Sequence, residues 1–439
     1  MTTMMETASP GEINEFFARQ LERLQLAKAI CVRHIDEKTG KGMFAEKDFE
    51  EGEVIYNELK MFGRKHCNQV FDSCENCMKV IGTMESLWER LEQQPQHVHG
   101  CDDDECEEDE CDRHRCDDES SCCDGEREPV ECPRFPVVVQ EIGLANEADE
   151  FVVGEPVPCR NACGEMYCSA MCAEDRWRST HHLLCPASSS AMKEFVEFTN
   201  ETNEALYIVG EIIATLIGET EAAGGSADAL RQATAPLRMM LMRPWTSAVS
   251  IPDGMSKAEA GELMTTLNFL VDECCSLLRA ALPEYSAMDV YAPLFSQAFV
   301  SRCMGMFEIN NVQMSSRSPI SVVCDRIEDV DTIESITPDQ LERLMEYQNV
   351  TTEGFGLYSL HSTINHSCAP NGTLIKLKGG LDAKIALIAN RNIAKGDEIT
   401  ISYICEDAPL EERRELLLDY GFQCQCPKCV EESAIVKGA

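Results

Sequence analysis

Cysteine and histidine residues recur in this sequence at spacings that suit a metal ion. The pairs are Cys74-x2-Cys77, Cys159-x3-Cys163, Cys168-x3-Cys172 and His181-x3-Cys185. These seven cysteines and one histidine are eight ligands, the number that two tetrahedral Zn²⁺ sites require. Sets of four thiolate and imidazole ligands suit zinc and leave no open coordination position. We therefore predict two structural zinc ions, with His182 as an alternative ligand to His181.

Three further strings combine polar or metal-binding residues with glycine turns or aromatic residues. Asn365–Asn371 reads NHSCAPN, and Gly396–Tyr403, which begins 25 residues after Asn371, reads GDEITISY. A tail motif, Cys424-x-Cys426-x2-Cys429, offers three thiolates, one fewer than a tetrahedral site needs. Upstream, Gly40–Ala45 reads GKGMFA, the pattern of a tight glycine turn.

These strings resemble known signatures. NHSCAPN and GDEITISY are similar to the two motifs of the SET domain, and the tail is similar to the post-SET zinc motif. Tyr167–Cys172, followed by Trp177 and His181-x3-Cys185, resembles the second half of a MYND zinc finger. In order and content, residues 30–432 resemble the SET and MYND domain protein-lysine methyltransferases. Only ten residues follow Cys429, so the likeness is to the short subgroup without C-terminal helical repeats, and also to a plant SET-domain group.

The resemblance implies an α+β fold: a SET domain of small sheets with a pseudoknot, interrupted by a MYND finger and a helical insertion and closed by a zinc-bound post-SET tail. It also implies methyl transfer from S-adenosylmethionine to a lysine of a histone or another basic protein. The alternative is a non-catalytic scaffold in transcriptional regulation. A degenerate domain would be expected to lose Tyr403, Asn365 or the tail cysteines, all of which are present.

The resemblance further implies how the metal ligands pair. Interleaved ligation would join Cys74 and Cys77 to Cys168 and Cys172. The second site would join Cys159 and Cys163 to His181 and Cys185. A third zinc would take Cys368 as the fourth ligand beside Cys424, Cys426 and Cys429. Three zinc ions are therefore expected, although the 81-residue gap before Cys159 makes the first pair an unusual member of the set.

Roles for the site residues also come from the resemblance. Tyr403 is the expected catalytic residue, whose hydroxyl orients the amine and stabilises developing positive charge. Methyl transfer is an in-line displacement that depends on orientation, and an apolar channel favours the uncharged, nucleophilic lysine. The expected walls of that channel are Tyr358, Tyr420 and Phe422. The expected cofactor-binding residues are Lys41, Gly42, Met43, Asn310, Asn365, His366, Tyr403 and Phe422. Asn311 competes with Asn310, and a capped helix end is the other explanation for either asparagine.

Composition excludes some partners and favours others. The net charge of −39 argues against direct nucleic-acid binding, which needs a basic face, and favours basic partners such as histone tails or ribosomal proteins. The 25 cysteines, without a recognisable signal peptide, indicate a reducing compartment. We expect no membrane span, a location in nucleus and cytoplasm, and the possibility of a proline-rich peptide at the MYND finger.

The elements that must position these residues follow from the apolar pattern. An amphipathic helix is predicted by the helical spacing of Ile13, Phe16, Phe17, Leu21 and Leu24. The segment 29–59 predicts two strands with a glycine-rich turn. The apolar stretch 206–218 carries Glu211, which fits a buried helix. The predicted organisation is an N-terminal helix 1–28, a first SET part 29–70, a MYND finger 71–185, a helical insertion 186–300, a SET core 301–408 and a post-SET motif 409–432.

An acidic insertion at 97–133 interrupts the predicted finger. From Cys101 to Glu128 it holds 15 acidic and 3 basic residues, too polar to offset the entropy of ordering a backbone. We predict a disordered, solvated loop. There are two functional alternatives. The loop could bind metal through its cysteines together with His97, His99 and His114, or it could dock basic substrates.

Overall fold

The structure is a computed structural model of the chain. It describes residues 8–69, 71–82, 86–87, 155–251, 254–328, 337–338, 341, 345, 351–375, 382, 384–418 and 420–438. The predicted insertion at 97–133 lies outside them. The chain divides into a main unit, residues 1–81, 154–317 and 351–439, and a second unit, residues 82–153 and 318–350.

Short strands and longer helices alternate along the described residues. The strands are β1 Ile30–Asp36, β2 Gly40–Ala45, β3 Val54–Glu58, β4 Phe62–Lys65, β5 Val157–Pro158, β6 Met166–Tyr167, β7 Asn311–Arg317, β8 Thr351–Leu357, β9 Asn365–His366, β10 Gly372–Ile375, β11 Ile385–Ala389 and β12 Glu398–Ile401. The α-helices are α1 Pro10–Arg23, α2 Ala170–Arg176, α3 His182–Leu184, α4 Ser190–Glu201, α5 Leu206–Ala222, α6 Ala227–Ala233, α7 Ala235–Arg238, α8 Trp245–Ala248, α9 Lys257–Ala281, α10 Pro283–Ser286, α11 Gln297–Asn310, α12 Pro319–Glu328, α13 Leu410–Leu416 and α14 Pro427–Gly438. A π-turn spans Trp177–His181, and 3₁₀ turns span Ala292–Phe295 and His361–Thr363.

The predicted N-terminal helix is present as α1. Ser9 caps it, and Glu12 completes a capping box by accepting from the Ser9 backbone N–H. Ile13, Phe17 and Leu21 are buried, as their spacing predicts, and Phe16 is partly buried. Leu24, the fifth residue of the predicted apolar set, is exposed at the C-cap, where the helix has already ended. The helix packs beside β1, so it covers the first strand of the main unit.

The four-stranded sheet β1-β2-β12-β9 brings distant motifs together. β1 and β2 form an antiparallel hairpin, and β12 pairs antiparallel with β2 through Met43 and Ile399. β9 then pairs parallel with β12, with Thr400 opposite Asn365. The glycine turn, the NHSCAPN string and the GDEITISY string therefore share one sheet.

The remaining strands of the main unit form three small sheets, ordered β10-β11-β3, β4-β8-β7 and β5-β6. The expectation of two strands around a glycine-rich turn in residues 29–59 was wrong in its pairing. Gly40–Ala45 is itself a strand paired with β1, while β3 pairs with β11, more than 300 residues later. Local periodicity identifies a strand, but pairing partners depend on burial in the folded chain.

Helices α4 to α11 enclose an apolar core and form a helical insertion. The predicted boundary at residue 300 falls inside α11, which continues to Asn310. Its central helix, α5, is buried on almost every side. Glu211 lies in that helix with 1% of its surface exposed. Its Oε1 lies 2.5 Å from Nη2 of Arg176, and its Oε2 accepts a hydrogen bond of 3.1 Å from the backbone N–H of Gly63. One buried carboxylate thus connects α2, α5 and β4.

The second unit is described mainly by α12. Its first turn is capped, because the Ser318 hydroxyl accepts from the backbone N–H of Ser321 at 3.1 Å. Among the residues that the structure describes, no helix combines the length and apolar character that crossing a membrane requires.

Removing the carboxylate of Glu211 should strongly destabilise the main unit. In Glu211→Ala, the Arg176 guanidinium would remain buried without its partner, which costs about 3–5 kcal/mol. Urea denaturation followed by circular dichroism measures this loss. Glu197→Ala is the matched control, since Glu197 pairs with Lys193 on the exposed face of α4 and should change stability by less than ~0.5 kcal/mol. Equal effects of the two substitutions would contradict the role of the buried pair.

Candidate active site and metal clusters

Asn365 on β9 connects the three motifs of the four-stranded sheet. Its side-chain Nδ2 donates to the backbone carbonyl of Lys41 at 3.0 Å and to Oε1 of Glu398 at 2.8 Å. Gly42 lies against the same group: a Cβ there would come within 2.7 Å of Ile35 Cδ1 and 2.8 Å of the Glu398 carboxylate. A larger residue would force the ends of these side chains to shift, so glycine lets the backbone of the turn lie close to Asn365.

His366 has a defined hydrogen-bonding role. The backbone N–H of Tyr403 donates to its Nδ1 at 3.0 Å, so Nδ1 is an acceptor. The proton of the neutral ring therefore lies on Nε2, 3.2 Å from Sγ of Cys368. Burial lowers the pKa of His366 to about 4, which keeps the ring neutral at physiological pH. One imidazole thus connects the tyrosine motif to Cys368.

Tyr403 presents a neutral hydroxyl. Burial raises its pKa above the usual value for tyrosine, so the phenol keeps its proton. That proton is donated to the backbone carbonyl of Ile364 at 2.5 Å. The lone pairs of the oxygen remain available to accept a hydrogen bond or to face positive charge.

Aromatic rings gather around Tyr403. The ring of Tyr420 lies 4.9 Å from that of Tyr403, and Phe422 lies 5.9 Å from His366 and 6.5 Å from Tyr403. Gly421 separates the two tail aromatics at a φ of +77°, a backbone conformation that favours glycine. Tyr420 and Phe422, the two tail residues expected to line the channel, therefore lie next to Tyr403 in the fold.

Tyr358, the third residue expected to line the channel, belongs to a separate apolar cluster. It is fully buried in a cluster with Met78, Met314 and Ile385, and burial raises the pKa of its hydroxyl. Its predicted role as a channel wall stays a prediction.

Asn310 and Asn311 both end α11 as side-chain caps. The Asn310 Nδ2 donates to the carbonyls of Met306 at 2.7 Å and Leu241 at 3.0 Å, and the Asn311 Nδ2 donates to that of Phe307 at 3.0 Å. The capped helix end considered for these residues is thus present, and it leaves the side-chain oxygen of Asn310 to accept a bond from a ligand.

Two other predicted cofactor residues lie on β2. Burial lowers the pKa of the Lys41 amine to about 8, and Met43 is fully buried in the core behind the sheet. Met43 can therefore contact a ligand at this surface through its backbone only.

Asn371 braces the loop that follows β9. Its Oδ1 accepts from the Thr400 backbone N–H at 2.8 Å, and its Nδ2 donates to the Glu398 carbonyl at 2.9 Å. Its own carbonyl accepts from the backbone N–H of Asn390 at 3.0 Å.

Glu398, whose side chain accepts the bond from Asn365, was assigned no role from the sequence. Its place inside the GDEITISY string was the available signal.

Three groups of four side chains could each hold a metal ion. Within each group the ligand atoms all lie within 4.8 Å of one another. The groups are Cys74, Cys77, Cys168 and Cys172; Cys159, Cys163, His181 and Cys185; and Cys368, Cys424, Cys426 and Cys429. Two sets consist of four cysteines, and the second set has three cysteines and one histidine. Both kinds of donor set fit zinc.

The second cluster distinguishes the two adjacent histidines. The His181 Nε2 lies 3.2 Å from the Sγ of Cys159 and 3.4 Å from that of Cys163. The Glu165 carboxylate lies 3.2 Å from its Nδ1, the arrangement that orients a metal-binding imidazole. By contrast, the Nδ1 of His182 lies 2.9 Å from the carbonyl of Trp177.

The third cluster joins the C-terminal tail to the NHSCAPN string. The sulfurs of Cys368 and Cys429 lie 3.5 Å apart. Arg413, 2% exposed, pairs with Glu432 and donates to the Ala408 carbonyl at 2.6 Å, which holds α13 against α14. Sequence reasoning missed Arg413, because nothing in the pattern distinguishes a buried arginine from its exposed neighbours.

Comparisons with known proteins agree in pointing to one family. The model of the SET domain matches residues 40–404. Histone-lysine N-methyltransferase ATXR2 of Arabidopsis thaliana is 30% identical over 427 residues, 90% of this chain and 89% of that protein. Protein-lysine N-trimethyltransferase SMYD5 of Mus musculus is 22% identical over 92% of this chain and 87% of its own length. A SET and MYND domain-containing protein of Dictyostelium discoideum is 41% identical over 85 residues, 19% of this chain and 16% of its own.

Filling the space beside Gly42 should weaken the site. In Gly42→Ala, the new methyl group would force Ile35 and Glu398 to move, at a cost of about 1–3 kcal/mol in folding stability. Thermal unfolding measures this cost. Gly11→Ala is the matched control, because no atom lies within 4 Å of its added methyl and α1 should be unchanged or slightly stabilised. A Gly42→Ala protein as stable as Gly11→Ala would contradict the close approach.

Proposed function

The chain belongs to the SET domain family and is an S-adenosylmethionine-dependent protein-lysine N-methyltransferase, and we propose that it methylates a lysine of a histone tail or another basic protein. The name of ATXR2 supports a histone lysine as the target and the name of SMYD5 supports a protein lysine, and both names favour an enzyme over a non-catalytic scaffold. The net charge of −39 adds long-range attraction for basic proteins.

The observation that carries the proposed mechanism is the position of the Tyr403 hydroxyl. S-adenosylmethionine, when bound, supplies a methyl group carried on a positively charged sulfur. The Tyr403 proton is committed to the Ile364 carbonyl, so the oxygen can turn its lone pairs toward a positive charge or a lysine N–H. The rings of Tyr420 and Phe422 would desolvate the lysine and so favour its uncharged form.

The residues expected around the cofactor fit such a ligand. Gly42 offers bare backbone, since a Cβ there would fill the space beside Asn365 and Glu398. The side-chain amide nitrogen of Asn365 is already bonded within the protein, so we assign it to shaping the turn of Lys41 and Gly42. We assign His366 and Phe422 to the cofactor surface, where the ring of Phe422 supplies an apolar face.

The finer features of the fold are proposals as well. Parallel pairing of β9 with β12, together with the Asn371 brace, supports a pseudoknot at the NHSCAPN loop. Two cysteine clusters whose ligands interleave along residues 74–185 support a MYND finger there, which could take a proline-rich peptide. We further propose that the three clusters bind three zinc ions. We also propose a location in both nucleus and cytoplasm, where basic proteins such as histones and ribosomal proteins occur.

Replacing the Tyr403 hydroxyl should abolish most turnover. Tyr403→Phe keeps the ring and loses the oxygen that faces the reacting groups, so kcat should fall by about 10²–10³-fold. Transfer of radiolabelled methyl from S-adenosylmethionine to core histones or a ribosomal-protein fraction measures this. Tyr285→Phe, a tyrosine of the helical region, serves as the control and should keep full activity. A wild-type chain that neither transfers label nor binds the cofactor in calorimetry would contradict the assigned activity.

The third cluster predicts a defined loss of metal. Cys426→Ser should lower the zinc content from three ions per chain to two, as measured by mass spectrometry of the native protein, and should sharply reduce activity because the tail carries Tyr420 and Phe422. Cys67→Ser, an exposed cysteine outside the three clusters, should keep all the zinc. Unchanged zinc in Cys426→Ser would refute the ligand set.

A further inference from the structure

Glu58, at the end of β3, holds a backbone turn with both oxygens of its carboxylate. Oε1 accepts from the backbone N–H of Leu360 at 2.8 Å, and Oε2 accepts from that of His361 at 3.0 Å. Within the described part of the chain, no basic side chain forms an ion pair with Glu58. Its contacts are thus directed at the backbone of a segment 302 residues away in sequence.

The turn that Glu58 holds leads directly into the candidate active site. The Thr363 hydroxyl donates to the Leu360 carbonyl at 2.6 Å, and the Ile364 backbone N–H donates to the His361 carbonyl at 3.0 Å. The backbone carbonyl of Ile364, at the end of this turn, accepts the proton of the Tyr403 hydroxyl. A displacement of the turn would therefore move the acceptor that sets the direction of the Tyr403 hydroxyl.

We propose that Glu58 is a positioning residue for methyl transfer: its carboxylate fixes the 358–364 turn and, through the Ile364 carbonyl, orients the Tyr403 oxygen. This inference rests on the proposed role of Tyr403. Because Glu58 acts through the backbone of the turn, its effect should fall on turnover rather than on cofactor affinity.

The surroundings of Glu58 make this role sensitive to pH. Burial raises the pKa of Glu58 to about 7, although three backbone N–H groups favour the carboxylate. The ionisable groups around it stay neutral near pH 7: burial raises the pKa of Tyr56 and of Tyr358 and lowers that of His361 to about 4. Asp382 acts on Tyr358 and forms an ion pair with Lys384 at 3.0 Å.

The direction of the pH effect follows from the charge of the carboxylate. Above about pH 7 both oxygens accept hydrogen bonds, and the turn is held at two points. Below it, protonation of one oxygen weakens one of the two bonds. Turnover should therefore fall as pH decreases through 7, in addition to any loss from protonation of the target lysine.

The test compares the wild-type chain with Glu58→Gln, which has the shape of the protonated acid at every pH. With core histones and S-adenosylmethionine, kcat should fall by about ten- to a hundredfold at pH 8, because small misplacements of catalytic groups have effects of this size. KM for S-adenosylmethionine and its calorimetric affinity should stay within about twofold of wild type. The loss of turnover below pH 7 should be smaller in the variant than in wild type.

Two further variants complete the design. Glu51→Gln, on the exposed turn before β3, is the matched control and should behave as wild type. Glu58→Asp keeps the charge but is one methylene shorter and cannot reach both N–H groups, so it should lose kcat as well. It replaces Glu58→Gln if that protein does not fold.

The outcomes separate the two levels of inference. If wild type is active and Glu58→Gln or Glu58→Asp matches it in kcat at every pH, or changes only KM, the positioning role is overturned. If wild type itself transfers no methyl group to core histones or ribosomal proteins, the proposed function fails, and the positioning role fails with it.

Discussion

The hydrogen bonds of the Asn365 amide are the contact on which the active site depends most. With its two N–H groups the side chain reaches the Lys41 carbonyl and the Glu398 carboxylate, which belong to strands more than 300 residues apart in sequence. An amide suits this position because it supplies two donors in one plane. Gly42 permits the approach by having no side chain. These side-chain bonds add to the backbone pairing of β2 with β12, which already places the glycine turn beside the motif that ends in Tyr403.

From this junction a continuous series of polar contacts runs to the tail of the chain. His366 accepts from the Tyr403 backbone and directs its other nitrogen at Cys368, whose sulfur lies 3.5 Å from that of Cys429. The third cluster thus positions the tail, and with it Phe422, beside the tyrosine. A metal at this cluster would act on catalysis through geometry alone, because its four protein ligands leave no open coordination position.

Buried charge has a second use away from the site. Glu211 connects Arg176, which lies four residues after Cys172 of the first cluster, to the backbone of Gly63. Glu58 makes a comparable contact with the turn before Asn365. In both cases one carboxylate holds two segments in register, a task for which apolar packing alone is less directional.

The sequence alone determined the motifs and most local elements. Ligand spacings, the NHSCAPN and GDEITISY strings and the apolar period of α1 are short-range patterns, so the candidate ligands and the family resemblance could be read from them. The grouping of the ligands into three sets was implied by that resemblance. Only the tertiary structure decided that β3 pairs with β11, that Asn310 caps α11, that Glu58 bonds the Leu360 backbone and that Glu398 bonds Asn365. A glutamate in a strand or an asparagine at a helix end has the same local signature whether it faces water or a distant backbone. What separates these outcomes is the set of groups that burial brings within hydrogen-bond distance, and that set exists only in the folded chain.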